Sequence, residues 1–185
     1  MKFILIIFLF FTSLLADRDG GPYLGLGYGI SQYDDNGLYE NITENQSTAL
    51  IFYAGAYINK HLSVEFNYVD FNTDGDKDTF VVKDDSKKML TISASTISTL
   101  AHYAFFDDKL DFYARFGAGE IQQDGLETEG FTMVYGVGMG YRFNNYTSIK
   151  FAYDNYQFGY DENSDKSADY RMQLHSIYTA LEIQF

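Results

Sequence analysis

The chain predicts an all-β protein, an eight-stranded antiparallel up-and-down transmembrane β-barrel. Three observations carry that reading. Past residue 20, apolar residues recur at every second position in successive segments, the period of a strand with two unlike faces. The connections between segments alternate short and long, and the charges inside segments fall on one face. Composition bounds the alternatives. With 185 residues there is room for one domain. The net charge is −13, from 26 acidic and 13 basic residues, and no basic cluster exists to bind nucleic acid. Zero Cys excludes disulfides, thiolate metal sites and Cys nucleophiles. Sixteen Gly, 46% hydrophobic residues and a mean hydropathy of −0.23 argue against both disorder and a helical membrane bundle.

The elements follow in chain order. Met1-Lys2, the apolar run Phe3–Phe11 and the small residue Ala16 read as a secretory signal cleaved after residues 1–16, leaving 17–185 as the barrel. The run is shorter than the roughly 20 apolar residues of a spanning helix. Strand one, Tyr23–Ser31, sets Leu24, Leu26, Tyr28 and Ile30 against Gly25, Gly27 and Gly29. Strand two aligns Leu50, Phe52, Ala54, Ala56 and Ile58; strand three aligns Leu62, Val64, Phe66 and Tyr68 against Ser63, Glu65 and Asn67. Strand four, Met89–Phe105, is ambiguous: either Leu90/Ile92/Leu100 or Ile97/Ala101/Tyr103/Phe105 is its apolar face, with a bulge as a way to switch. Strand five sets Leu110, Phe112, Ala114, Phe116 and Ala118 against Tyr113, Arg115, Gly117 and Gly119. Strand six sets Met133, Tyr135, Val137, Met139, Tyr141 and Phe143 against Gly136, Gly138, Gly140 and Arg142. Strand seven sets Ile149, Phe151 and Tyr153 against Lys150, Ala152 and Asp154. The last strand carries Ile177, Thr179, Leu181, Ile183 and Phe185 opposite Ser176, Tyr178, Ala180, Glu182 and Gln184.

Tight turns are expected at Asn59–His61, Phe106–Lys109 and Asn144–Tyr146, and long acidic connections at 32–48, 72–88, 120–131 and 159–169. Short turns at one end and long loops at the other are the asymmetry of outer-membrane barrels, with the short turns periplasmic. In lipid a barrel must close and turn its apolar row outward, which puts the charged face inside. Glu65, Arg115, Arg142, Lys150, Asp154 and Glu182 then form a balanced ionic network in the lumen. A soluble lipocalin-type barrel would alternate equally well. It leaves the export signal, the loops and the Tyr/Phe ends of the outward rows unexplained.

The segments Tyr23-Leu-Gly-Leu-Gly-Tyr-Gly29, Phe112-Tyr-Ala-Arg-Phe-Gly-Ala-Gly119 and Tyr135-Gly-Val-Gly-Met-Gly-Tyr-Arg-Phe143 resemble the OmpA-type eight-stranded barrels. His175–Phe185 resembles their final strand, whose terminal Phe the barrel assembly machinery recognises. The resemblance covers the whole of 17–185 and implies that Ile177, Thr179, Leu181, Ile183 and Phe185 act as the assembly signal. The peptidoglycan-binding domain of full-length OmpA is not present after Phe185, so cell-wall tethering is not carried over.

Other motifs weigh less. The Gly-x-Gly-x-Gly runs have period two inside strands, not the strand–turn–helix setting of a phosphate cradle; small inward residues making room for Tyr113 and Tyr178 explain them. Asp74, Asp76, Asp78 and Asp85 match four positions of a calcium loop, but Thr79 stands where the turn needs Gly and no helices flank it. A solvated acidic loop is the simpler reading, so no metal and no cofactor is expected. His61 falls in a turn, and His175 and Ser176 are adjacent in a strand and point to opposite faces. A hydrolase would need His102 or His175 beside a Ser or Asp in a loop-lined cleft. The expectation is therefore a non-enzymatic, monomeric surface protein of the outer membrane. It would contact lipid and lipopolysaccharide and meet host or envelope partners through acidic loops. The alternative is a small low-conductance channel, because an eight-stranded lumen is just wide enough for side chains to fill.

Overall fold

A computed structural model describes residues 20–34, 42–71, 80–82, 88–124, 128–160 and 170–185. Among the described residues there are ten strands: β1 (Gly21–Asp34), β2 (Ile42–Glu44), β3 (Gln46–Asn59), β4 (Leu62–Asp70), β5 (Phe80–Val82), β6 (Lys88–Phe105), β7 (Leu110–Asp124), β8 (Thr128–Arg142), β9 (Thr147–Tyr160) and β10 (Tyr170–Gln184). Eight of them close into a ring, β1-β3-β4-β6-β7-β8-β9-β10 and back to β1, every pairing antiparallel. The three-residue β2 and β5 extend β6 beyond the ring at the loop end. Closure leaves no ring edge, which is what a backbone in hydrocarbon requires. The seam is completed at the termini, where Phe185 N–H donates to the Pro22 carbonyl at 2.9 Å.

Alternation holds across the ring and settles the ambiguous strand. Ile97 is 64% exposed and Leu100 is 0% exposed, so Ile97, Tyr103 and Phe105 face out while Ile92, Leu100 and His102 face in. The β4–β6 and β6–β7 registers run on without a break, so no bulge is needed. Leu24, Leu26, Phe52, Phe66, Phe116, Val137, Phe151 and Leu181 form part of the exposed apolar belt. Stacked edge-to-face aromatics such as Phe105–Phe112 (5.8 Å) and Tyr141–Phe143 (5.5 Å) stand at the short-turn end of that belt. These are the places where amphipathic rings meet the membrane interface.

One expected connection needs correction. The connection over 120–131 is mostly strand: Gln123 still pairs with Thr128, and only 125–127 fall between β7 and β8. Polar side chains pair across a hairpin as readily as apolar ones once it rises clear of lipid, so polarity alone did not mark a loop. The turn at 106–109 is tight as expected, but unusual in backbone. Phe106, Asp107 and Asp108 all take positive φ, at 54°, 55° and 63°. Left-handed residues match the right-handed twist of the hairpin strands, and Asp tolerates that region better than most side chains.

The lumen, expected to be polar throughout, is layered. Toward the loop end it is an apolar core of Tyr33, Ile51, Phe71, Ile92, Tyr156 and Leu174, among others. Phe71 meets Tyr156 edge-on at 5.3 Å from the opposite wall. Tyr33 stacks on Phe158 at 6.5 Å and directs its hydroxyl to Met172 Sδ at 2.8 Å. Toward the short turns the lumen is tyrosine, hydroxyl and charge. The sequence hides this division because the alternation inverts in the loop-end half, where Tyr33, Ile92 and Leu174 face in while Gln32, Asp34 and His175 face out, so the apolar row no longer marks the lipid side.

Candidate functional site

The short-turn half of the lumen holds the densest chemistry in the molecule. The inward positions of β1 and β8 are glycines because large side chains from neighbouring strands lie over them. A Cβ at Gly25 would overlap the Tyr53 ring, one at Gly138 the Tyr113 ring, and one at Gly136 the Asp154 carboxylate. Strand backbone stripped of side chains is therefore the seat for the Tyr and acidic residues that fill the barrel.

Two ionic clusters occupy this space. Arg115 on β7 reaches across the lumen and pairs with both Glu65 on β4 and Asp154 on β9, all three buried. Tyr178 OH donates to Asp154 Oδ2 at 2.9 Å, and Tyr23 OH donates to Glu65 Oε2 at 3.0 Å. The planar guanidinium suits this double task; a Lys could offer only a point charge. In the second cluster Lys150 pairs with Glu182, whose Oε1 also accepts from Tyr57 OH at 3.2 Å and Ser148 Oγ at 3.3 Å. Lys150 Nζ lies 4.9, 5.2 and 5.3 Å from the ring centroids of Tyr23, Tyr53 and Tyr113. That is a three-sided aromatic enclosure in which a desolvated ammonium is held by ring quadrupoles. Of the six inward charges read from the sequence, five fall into these clusters. Arg142 stands apart, nearer the mouth, donating to Gln184 Oε1 at 2.9 Å.

The sequence reading missed a third group. His102 Nε2 is 2.8 Å from Ser63 Oγ, and His102 Nδ1 is 2.8 Å from Asp111 Oδ2. Asp111 shares parity with Tyr113 and Arg115, so strand alternation alone would have placed it inside. His102 could be placed only once the face of its strand was known. The connectivity is that of a Ser–His–Asp triad, but the setting differs. Ser63 is 0% exposed, and its Oγ lies 3.2 Å from Tyr23 OH, whose one proton it shares with Glu65 Oε2. Its strand is paired on both sides, to Tyr57 and Leu100, so the surrounding amides serve the ladders and not an oxyanion hole. What the arrangement does is tie β4, β6 and β7 together and extend the ionic layer. Hydrogen bonds and ion pairs run from Asp111 through His102, Ser63, Tyr23, Glu65, Arg115 and Asp154 to Tyr178.

At the short-turn mouth, between Tyr57, Asp111, Arg142 and Lys150, the open space is about 10 Å³. A cavity needs about 10–15 Å³ to hold one water, so the mouth has room for a single water at most. The other histidines lie elsewhere. His61 is in the β3–β4 turn, with Nδ1 3.4 Å from the His102 carbonyl. His175 faces outward while Ser176 faces in, and Tyr153 OH (2.6 Å) and Asn155 Nδ2 (2.7 Å) hold its Nδ1. Asp74, Asp76, Asp78 and Asp85 of the calcium-like motif lie outside the described residues. On the last strand, Ile177, Leu181 and Ile183 are exposed on the outer wall, in the same row as Thr179, with Phe185 closing the seam.

The profile of a protein family described as the outer membrane protein beta-barrel domain matches residues 3–185. No curated protein sequence matches. Among solved structures, the chain is similar to Neisserial surface protein A, at 11% identity and a TM-score of 0.62, covering 89% of this chain and 97% of that one. It is similar also to Ail, the attachment invasion locus protein of Yersinia pestis, at 13% identity and TM-score 0.53, covering 90% and 99%. OprG of Pseudomonas aeruginosa follows at 10% identity and TM-score 0.53, covering 92% and 99%. At such identities the likeness is one of fold: the closed eight-stranded antiparallel barrel of outer-membrane proteins.

Proposed function

The chain belongs to the outer membrane protein beta-barrel domain family, and on that premise we propose that it is a non-enzymatic, monomeric surface protein whose lumen is a structural plug and whose function lies in its loop end. Residues 1–16 serve as a cleaved export signal and 17–185 form the barrel. The row Ile177, Thr179, Leu181, Ile183 and Phe185 is what the barrel assembly machinery reads. The observation that carries the plug reading is the filled lumen: a cross-barrel ionic layer beneath an apolar core, with room for about one water at the mouth. A path for ions would have to break Arg115 from two carboxylates and then cross the Phe71–Tyr156 contact. Planar-bilayer recording of the refolded protein tests it, with a flat baseline expected; discrete openings in the unaltered protein that widen or become more frequent in an Arg115 variant would establish the channel reading instead. That second reading has one observation in its favour. Asn67 is 0% exposed and neither of its side-chain amide atoms has a hydrogen-bond partner among the described residues, a mark of polar space within the wall-filling layer.

Charge supports the choice of partner. Three of the four long connections carry Asp34, Asp35, Glu40 and Glu44 without a base, Glu120, Asp124, Glu127 and Glu129 without a base, and Asp161, Glu162, Asp165 and Asp169 with Lys166 alone, while the connection over 72–88 sets five aspartates against Lys77, Lys83, Lys87 and Lys88. Ail has been crystallised with the heparin analogue sucrose octasulfate. A polyanion of that kind would meet net repulsion here, so the partner class differs: cationic surfaces, or anionic lipid headgroups bridged by divalent cations. Binding of the folded protein to immobilised polycationic and sulfated surfaces, compared at low and high salt, separates the two. Preference for the sulfated surface would overturn this assignment.

A further inference from the structure

On the outer wall the boundary between apolar and polar side chains runs straight across β9, β10 and β1, and steps down one row on β3, where Thr48 pairs with Ile30. Register places Tyr153, Ile177 and Ile30 in one cross-strand row over β9, β10 and β1. The next row toward the loop end is Asn155, His175, Gln32 and Gln46, over β9, β10, β1 and β3. Below the boundary the rows are greasy: Tyr28 with Thr179 and Phe151, then Leu26 with Leu181 and Ile149. Above it comes Asp34 with Gln173 and Gln157. A groove of about 320 Å³ lies on this boundary, lined by Ile30, Gln32, Gln46, Tyr153, His175 and Ile177. That volume is at the small end for ligand sites. It accommodates a headgroup and not a whole lipid.

The polar side of the groove is held in place. Asn155 is 1% exposed although it belongs to the outward row, because its neighbours cover it. Its Nδ2 donates to Gln173 Oε1 at 3.2 Å and to His175 Nδ1 at 2.7 Å. Asn155 and Tyr153 together engage His175 Nδ1, leaving Nε2 outside these contacts. The Tyr153 ring stacks on the imidazole, centroids 6.0 Å apart and planes 20° apart.

We propose that this groove seats the headgroup of one glycolipid of the outer leaflet, with its acyl chains running down the belt over Ile30, Ile177 and the rows beneath. Three features select that occupant. The site straddles the polar–apolar boundary, so its ligand must be amphipathic. Its polar side offers two Gln amides and an imidazole nitrogen with no Lys or Arg among the lining residues, which suits sugar hydroxyls that donate and accept and gives a phosphate no counter-charge. A stacked aromatic pair borders the site and presents a flat surface to a pyranose face. The inference rests on the membrane-barrel reading above and goes beyond it by naming the lipid class and its seat.

Native mass spectrometry of the folded barrel released from micelles provides the test. The probes are lipid A, dephosphorylated lipid A, and phosphatidylethanolamine. One lipid A should be retained about tenfold more strongly than phosphatidylethanolamine, equivalent to about 1.4 kcal/mol, and removing its phosphates should change retention less than threefold, about 0.7 kcal/mol. Gln32→Leu with Gln46→Leu extends the apolar belt without touching the lumen and should bring lipid A down to the phosphatidylethanolamine level; His175→Ala provides an independent second variant. Equal retention of the two lipid classes, loss of binding on dephosphorylation, or unchanged binding in both variants would each overturn the proposal. Heat-modifiable gel migration of the same samples reports the barrel itself, so failure of the barrel reading is seen separately from failure of the lipid site.

Discussion

Replacing Arg115 by Leu would expose what the ionic layer contributes. Arg115 makes charge-assisted contacts to Glu65 and to Asp154, each worth about 1.5–3 kcal/mol when buried. The substitution leaves two carboxylates facing the same desolvated space, and at an effective dielectric of 20 two charges 4 Å apart repel by about 4 kcal/mol. Burial of the Leu side chain offsets about 2 kcal/mol of this. The expected net loss is about 5–8 kcal/mol, more than the roughly 3–5 kcal/mol for a single buried pair, because two carboxylates are stranded. The measurement is urea unfolding in micelles or vesicles, followed by tyrosine fluorescence, since the chain has no Trp. The decisive comparison is the triple variant Arg115→Leu, Glu65→Gln, Asp154→Asn. It removes the stranded charges while keeping shape, and it should recover most of the loss, because a buried triad exchanged for neutral groups is often energetically neutral. A single-variant loss below about 1 kcal/mol, or a triple variant as unstable as the single one, would refute the view that Arg115 neutralises a sealed layer.

Further outcomes follow from the same contacts. Lys150→Met strands Glu182 and removes the cation from the three-tyrosine enclosure; a loss of about 3 kcal/mol is expected, recovered in part by adding Glu182→Gln, both read by urea unfolding. Gly138→Ala forces the Tyr113 ring from its seat and should cost about 1–3 kcal/mol by overpacking, with a changed near-UV tyrosine dichroism; an unchanged spectrum and midpoint would mean the ring yields freely. Deleting Phe185 removes the last seam hydrogen bond and the end of the assembly row, and should lower the inserted fraction in cells while export continues. Normal insertion of that variant would undercut the role given to the terminal row.

The amino-acid sequence by itself determined that the chain is a membrane barrel, how many strands close it, and which row of most strands meets lipid. It could do so because strand period, loop asymmetry and outward burial of apolar residues are local and repeat eight times, so one ambiguous segment does not spoil the rest. Glu65, Arg115, Lys150, Asp154 and Glu182 were placed inside for the same reason. Parity is local; partnership is not. That Arg115 bridges β4 and β9, that Lys150 sits among Tyr23, Tyr53 and Tyr113, and that His102 links Ser63 to Asp111 depend on which side chains meet across a closed lumen, a matter of register and diameter. The division of the lumen into a charged half and an apolar half was hidden for a related reason. At the loop end the apolar row turns inward and the polar row outward, the reverse of the lipid-facing half, and only closure shows that Phe71 and Tyr156 meet each other across the barrel and not lipid.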